Sequence, residues 1–381
     1  MDLKHVPRVS SALKAVDLIQ IPPPLIIGER LNTQGSKKAK RLVLSDDFDG
    51  LIDLGRDQVN DGAHCIDVCV ATTERSDELE FMKKLVKRLS LEIEAPLVID
   101  STDPKVITDA ISQIPGRPII NSINLEGDGS RFHALAPIMA KFGIPAISMC
   151  IGPKGMAKTS DDKIIVAKLL FDTGKKYGLK SWQFIFDVLT FTLATGEQEY
   201  ANSAVETLKG ISLVKKEIPG CFTTLGLSNI SFGLPPNARK IINSVFLHHA
   251  LKAGLDAVII NAKDIIPIGE IKEEQIKLAE DLIFNRHVNA LSDLIYYFEN
   301  KNVKVARNDR TLEEIDKDWS FDKRCYYRIV NRIKEGIEAD VVGAIANKLE
   351  KKLDVNVENI QKEDMLKQHP ELTHEAAVQT L

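Results

Sequence analysis

The sequence lacks the marks of several large functional classes. Its 381 residues hold no apolar run that approaches the ~20 residues a membrane-spanning helix requires. No long basic run is present. Lys and Arg number 50 against 54 for Asp and Glu, a net charge of -4, so no strong field favours nucleic acid. Cysteine is scarce and odd in number: five, at 65, 69, 150, 221 and 325. Four of them fall in or beside apolar strand-like runs, where buried free thiols in a reducing compartment are expected. Cys65 and Cys69 have no second pair to complete a tetrahedral metal site, so no bound metal is expected. The first twenty residues mix charges and do not resemble a signal peptide, which makes the cytoplasm the expected location. There is no Gly-x-Ser-x-Gly elbow and no phosphate-cradling Gly-rich loop. None of the eight histidines falls at an expected strand end: His64 opens a strand, and His248 and His249 lie on a helix. Triad hydrolysis, phosphoryl transfer and zinc chemistry are therefore unsupported.

What the chain does have is a rhythm. Short β-branched, apolar segments end in polar residues and alternate with amphipathic helices. The strands are LII (25–27), HCIDVCV, PLVID, RPIIN, IPAISMCIG, WQFIF, CFTTLGL and DAVII. Between them helices are expected from Ser45 or Asp46 to Asn60, then over roughly 77–92, 130–142, 161–177 and 197–216. Asp103 reads as an N-cap with Pro104 in the first helical position. Continuous apolar strands alternating with helices predict a parallel sheet covered on both faces. Eight such units in roughly 260 residues match a (β/α)8 TIM barrel, with a doubly wound open sheet as the competitor. The expected organisation is a lead-in over 1–21, a barrel over 22–300, a linker over 301–320 and a helical tail over 321–381. In the tail, Phe321, Cys325, Ile329, Ile333, Ile337, Val341, Ile345 and Leu349 recur every four residues and predict one long amphipathic helix.

Polar residues favour the barrel. Glu29, Asp67, Asp100, Asn121, Asp187 and Asn229 all stand at or near strand carboxyl ends, whereas an open sheet would decorate only the strands flanking its switch point. Taken singly, several have plainer readings. Asp100 could help cap the next helix, Asn121 and Asn229 could form turns, Arg30 and Arg239 could be surface charges, and Gly35 a turn. Asp187 in FDVLT is hard to read as a cap, because apolar residues follow it. As a ring, carboxylates and amides suit the amino-pyrimidinone edge of a flat heterocycle. Asp100 or Asp187 would receive its paired N–H groups, and Asn121 its carbonyl or a ring nitrogen.

The motifs IIGERLNTQGSKK, VIDSTDP, IINSIN, FDVLTFTLATG and GLSNISFGLPPNARKIINSVFLHHALKAGLDAVIINA together resemble the pterin-binding methyltransferase family. Within it they are similar to the folate-binding barrels of cobalamin-dependent methionine synthases and to methyltetrahydrofolate:corrinoid/iron–sulfur protein methyltransferases. The resemblance runs in order over about residues 22 to 300. A weaker likeness in WSFDKRCYYRIVNRIKEGIEAD is to the helix leading into a corrinoid-binding module. It implies a (β/α)8 barrel that moves the N5-methyl group of methyltetrahydrofolate to or from the cobalt of a corrinoid (cobalamin) held by a partner protein or domain. It implies Asp100, Asn121 and Asp187 at the pterin edge and Asn229 near N5, with Asn229 and Asp187 catalytic. Glu29, Asn32, Asp67 and Arg239 complete the implied pterin contacts. There are departures. Where relatives carry D-(I/L)-N after the second strand, this chain has Asp67, Val68 and Cys69. The Ser-Arg-Lys of dihydropteroate synthase, a family member that makes a pterin, is replaced by Ser228, Asn229 and Ile230. No Asp-x-His-x-x-Gly and no Gly-Gly-Cys-Cys site is found, so the corrinoid and any homocysteine zinc would belong elsewhere. Dihydropteroate synthase activity, or a non-catalytic pterin-binding subunit of a corrinoid complex, are the alternatives.

Overall fold

A computed structural model describes residues 6–300, 318–331 and 336–353. They fall into two compact units, Met1–Arg307 and Asn308–Leu381. In the first, eight strands form one parallel sheet: β1 (Leu25–Asn32), β2 (Cys65–Cys69), β3 (Leu97–Asp100), β4 (Ile119–Ile123), β5 (Ala146–Met149), β6 (Phe184–Asp187), β7 (Phe222–Thr224) and β8 (Ala257–Ile260). Neighbours in space are neighbours in sequence, and β8 pairs with β1. The circle closes between β7 and β8 through a parallel bridge of Gly226 with Ile259 and the bond from Ile259 N to Leu225 O at 2.9 Å. The unit is a (β/α)8 barrel.

Its inner and outer faces follow the two-residue period of a strand. The residues pointing outward, among them Ile66, Val68, Ile99, Ile120, Phe184 and Val258, join the large apolar layer under the helices. The residues pointing inward begin with an apolar tier: Leu25, Ile27, Cys65, Val98, Ile119, Ile147, Ile185, Phe222 and Ala257. Two residues further along their strands stand Glu29, Asp67, Asp100, Asn121 and Asp187. Polar residues therefore occupy the next inward tier, at the carboxyl end.

The helices of the shell are α1 (Lys37–Leu44), α2 (Phe48–Asn60), α3 (Glu78–Glu92), α4 (Pro104–Ile111), α5 (Ser130–Phe142), α6 (Ser160–Lys175), α7 (Ser203–Glu217) and α8 (Pro236–Ala253), followed by α9 (Glu273–Ile283) and α10 (Ala290–Asn300). Asp103 caps α4 through Lys105 N, with Pro104 first, as the spacing predicts. Four details differ from the sequence reading. An extra helix, α1, is nucleated by Ser36, whose side chain accepts from Ala39 N. Strand β1 runs through Glu29 to Asn32, with a register shift between Gly28 and Leu31. The IPAISMCIG stretch splits, because Ile151–Gly152 turn away to pair with Gly155–Met156. Helix α7 begins only at Ser203, after a short turn of 3-10 helix at Gln198–Tyr200.

The lead-in is a hairpin. Arg8–Ser10 pairs antiparallel with Ala15–Asp17, and Val9, Val16 and Leu18 pack on the inner apolar tier. Leu13, at the turn, is 69% exposed instead of joining them. Ser10 and Arg117 exchange backbone bonds of 2.9 Å just ahead of β4. The amino end of the barrel is thereby stoppered.

In the second unit the single long helix expected from the tail is two: α11 (Phe321–Asn331) and α12 (Ile337–Leu353), with Gly336 at φ 74 just ahead of the second. A left-handed residue ends a helix instead of continuing it. Asp340 is buried and pairs with Arg328 at 2.6 Å and Arg324 at 3.3 Å, and Gly343 leaves room for the Phe321 ring. Of the four-residue stripe, the Ile329, Ile333 and Leu349 side chains, like most of the 301–320 linker and the end of the tail, lie outside the described residues.

Candidate functional site

A cavity of about 610 Å³ opens at the carboxyl end of the barrel. It is lined by Glu29, Asn32, Asp67, Asp100, Asn121, Asn229 and Arg239, seven of the eight candidates from the sequence. The eighth, Asp187, is buried at the same tier but does not line it. Its Oδ1 accepts from Leu189 N at 2.8 Å, which fixes a turn in which Leu189 adopts φ 64. Apolar residues after a carboxylate do not rule out a local role when the chain must turn sharply.

The floor is a hydrogen-bonded cluster. Asn32 Nδ2 donates to Asp67 Oδ2 and to Asp100 Oδ2, both at 2.9 Å, while its Oδ1 accepts from Gln34 N at 2.9 Å. Asn121 Nδ2 donates to Asp67 Oδ1 at 3.0 Å. Both Asp67 oxygens are therefore engaged within the protein, and Asp100 remains the more open carboxylate. Burial, with the neighbouring Asp100 charge, pushes the Asp67 carboxyl up to about 7. Burial raises Asp100 and Glu29 as well and brings Asp187 up to about 6. Two carboxylates so close in a dry site resist ionising together. Arg131, half-buried behind Asp100, offsets part of this by Coulomb attraction and donates to Ser101 O.

The opposite wall comes from the loop after β7 and from α8. The loop is a turn of 3-10 helix, Leu227–Ser231, that carries Asn229. A Cβ on Gly226 would come 3.1 Å from Asn229 Nδ2, so glycine leaves that amide its position. Ser228 Oγ donates to Glu29 at 3.1 Å and stitches the loop to β1. Arg239 Nε donates to Ser231 Oγ at 3.3 Å. Arg239 is thus part of the site and braces the loop, whereas the plain reading made it a surface charge. Pro236, Lys240 and Asn243 also line the cavity, and Lys240 pairs with Asp264 at 3.2 Å. Sequence reasoning missed Ser228, Lys240, Asn243 and Asp264. The signal for two of them was present: 236, 239, 240 and 243 share one helical face.

No described thiol offers a nucleophile. Burial pushes Cys65, Cys69, Cys150 and Cys221 up to about 12, and no histidine lines the cavity. The chemistry on offer is recognition of a polar planar molecule: a carboxylate and amide floor, an amide and guanidinium wall.

Comparison with known proteins agrees with this chemistry. The model of a family described as pterin binding enzyme matches residues 28–261. Methionine synthase of Mycobacterium tuberculosis (strain ATCC 25618 / H37Rv) is 37% identical over 353 residues, covering 91% of this chain and 29% of the relative. Methionine synthase of Mycobacterium leprae (strain TN) is 38% identical over 356 residues, with the same two shares. The chain thus spans under a third of the length of these relatives. Among solved structures, dihydropteroate synthase of Xanthomonas albilineans with 4-aminobenzoic acid superposes with a TM-score of 0.51 at 15% identity, covering 78% of this chain and 99% of that one. At that identity the likeness concerns the fold alone. No helix among the described residues is long and apolar enough to cross a membrane.

Proposed function

Because the chain belongs to the pterin-binding enzyme family, we propose that it is a methyltransferase barrel that binds methyltetrahydrofolate and exchanges its N5-methyl group with a corrinoid carried by a partner protein or domain. The observation that carries this reading is the pairing of the Asn32–Asp67–Asp100–Asn121 floor with Asn229 across one cavity. The methionine synthase relatives support the choice of reaction. The cavity volume suits a bicyclic pterin and is too small to enclose a corrinoid.

In this reading Asp100 accepts the paired N–H groups of the pyrimidinone edge and Asn121 Oδ1 or its amide meets the ring beside it. Asp67 orients both through Asn32 and Asn121. Asp187 contributes a further carboxylate from the same inward tier, alongside its bonds to the Leu189 and Gly226 amides. N5 bears a methyl group and is a poor leaving nitrogen unless protonated. Asn229 accepts a hydrogen bond from N5 once a proton from solvent has reached it, a contact unprotonated N5 cannot make, and the electron pair of the broken N–CH3 bond returns to N5 as the methyl group departs. The corrinoid cobalt would supply the nucleophile, so the chain's protonated thiols are no obstacle.

Stopped-flow mixing with cob(I)alamin and methyltetrahydrofolate tests the proposal. Methylcobalamin should form, and Asn229→Ala should slow its formation by about 10²-fold or more, the scale of one lost hydrogen-bonding group at a developing charge, with an unchanged melting temperature. Correctly folded protein that binds the folate yet forms no methylcobalamin would defeat the catalytic reading and leave a binding subunit. Condensation of p-aminobenzoate with a pterin pyrophosphate would point to the synthase reaction instead.

A further inference from the structure

The floor and Asn229 account for the ring system of the ligand and leave the mouth of the cavity unassigned. Among the described residues one aromatic side chain lines that cavity, Phe232, and it is 68% exposed. An exposed apolar side chain is ordinary when it stands alone on a surface. This one is held in a particular place. It follows the 3-10 turn that carries Asn229, and its N–H donates to Asn229 O at 3.2 Å. Its own carbonyl accepts from Thr192 Oγ1 at 2.6 Å, and Leu193 N donates to Ile230 O at 3.0 Å. The loop after β6 thus ties the turn down at Ile230 and at Phe232. Gly233, at φ 90, then carries the chain away toward α8. The backbone of Phe232 is fixed while its ring is left uncovered at the cavity, which is the state of a contact formed in advance of its ligand.

We propose that Phe232 is a substrate-binding residue that packs its ring on the p-aminobenzoyl ring of the folate tail. The inference rests on the pterin reading and extends it from the ring system to the tail. With the pyrimidinone edge on the floor and N5 at Asn229, the tail starts at the carbon next to N5. It has to leave by the mouth, because Val9, Val16 and Leu18 fill the amino end. It therefore starts beside the turn that leads into Phe232. After a methylene and N10, the first bulky group it presents is a benzene ring with two apolar faces. Aromatic pairs in offset or edge-to-face contact gain more than the area they bury. Pro236, four residues on, lines the same cavity and adds apolar surface beside Phe232, whereas Gln34, Lys240 and Asp264 are polar.

The test compares two ligands by titration calorimetry: methyltetrahydrofolate, and 5,6-dimethyltetrahydropterin, which keeps the ring system and the N5-methyl group but has no tail. Phe232→Ala removes an exposed side chain, so its melting temperature should match the wild type. It should bind the folate roughly tenfold more weakly, the scale of one lost aromatic contact with the area it buries, and bind the tail-free pterin as the wild type does. Phe232→Tyr keeps the ring and should keep the folate affinity. Equal weakening toward both ligands would mean that Phe232 acts through the turn that holds Asn229, and it overturns the inference. Unchanged affinity for both overturns it as well, while the pterin reading stands and the ring is left to face the corrinoid carrier. A wild-type protein that binds neither ligand overturns the two together.

Discussion

Asp67 is where burial and charge conflict most strongly. Its carboxyl is 1% exposed, shares Asn32 with Asp100, and is pushed up to about 7. In the unfolded chain it would lose its proton near the usual 3.8. The folded protein therefore holds more protons than the unfolded chain between about pH 4 and 7. Stability from this group is full below pH 4 and is lost as pH rises through 7. Asp187, at about 6, acts in the same direction. Surface carboxylates such as Asp77, held low by Arg75, pull the opposite way, so the difference between two proteins is the useful quantity. Between pH 5 and pH 8 the wild type should lose on the order of 2–4 kcal/mol more stability than Asp67→Asn, as measured by urea denaturation. Parallel pH profiles would show that Asp67 ionises normally. This tier was legible in the sequence because a strand places every second residue inward, and Asp67, Asp100, Asn121 and Asp187 each follow a buried apolar residue at that spacing. The conflict itself was not legible, since it depends on two strands bringing Asp67 and Asp100 to the same amide.

At the scale of elements, the loops do the work that the strand pattern leaves open. The turn after β6 is held by Asp187 Oδ1 on Leu189 N, and also from behind by Lys163. That lysine is fully buried on α6 and donates to the carbonyls of Val188, Leu189 and Ala157. Asp187→Asn keeps an oxygen for the Leu189 turn and removes the charge. Stability should stay within about 1 kcal/mol of wild type, while the affinity for methyltetrahydrofolate falls roughly tenfold, the effect of one charge-assisted hydrogen bond. A variant with wild-type affinity would confine Asp187 to its turn. The sequence could not separate these roles, because the positive φ of Leu189 has no signature in an apolar residue. Helix α1 escaped notice for a related reason: its buried residues, Ala39, Leu42 and Val43, are few and lie among four basic ones. Helix α8 follows from the alternation of strands and helices, but which face it turns to the cavity depends on how the 3-10 turn before it approaches.

For the whole molecule, the barrel was readable from eight repeated units and the stopper was not. Three-residue strands carry too little pattern to be recognised, and Val9 and Val16 have meaning only against a tier assembled from the whole barrel. Gly116 marks the contact: a Cβ there would lie 2.4 Å from Ser10 O, a backbone atom that cannot swing aside. Gly116→Ala should lift the hairpin and lower stability by roughly 1–3 kcal/mol, read as a lower melting temperature. Folate affinity should be kept, because the cavity lies at the other end. Loss of binding in a folded variant would mean that the two ends are coupled.

The stopper also makes the barrel a cul-de-sac. With the amino end filled by Val9, Val16 and Leu18, the cavity has its mouth at the carboxyl end, where the loops after the strands gather. A small molecule and a large carrier that both need the same atom must then share one doorway. The small one has to be seated before the carrier arrives and can leave only after the carrier withdraws. On the proposed reading, a queue of this kind would impose a compulsory order on the reaction, with the folate first in and last out.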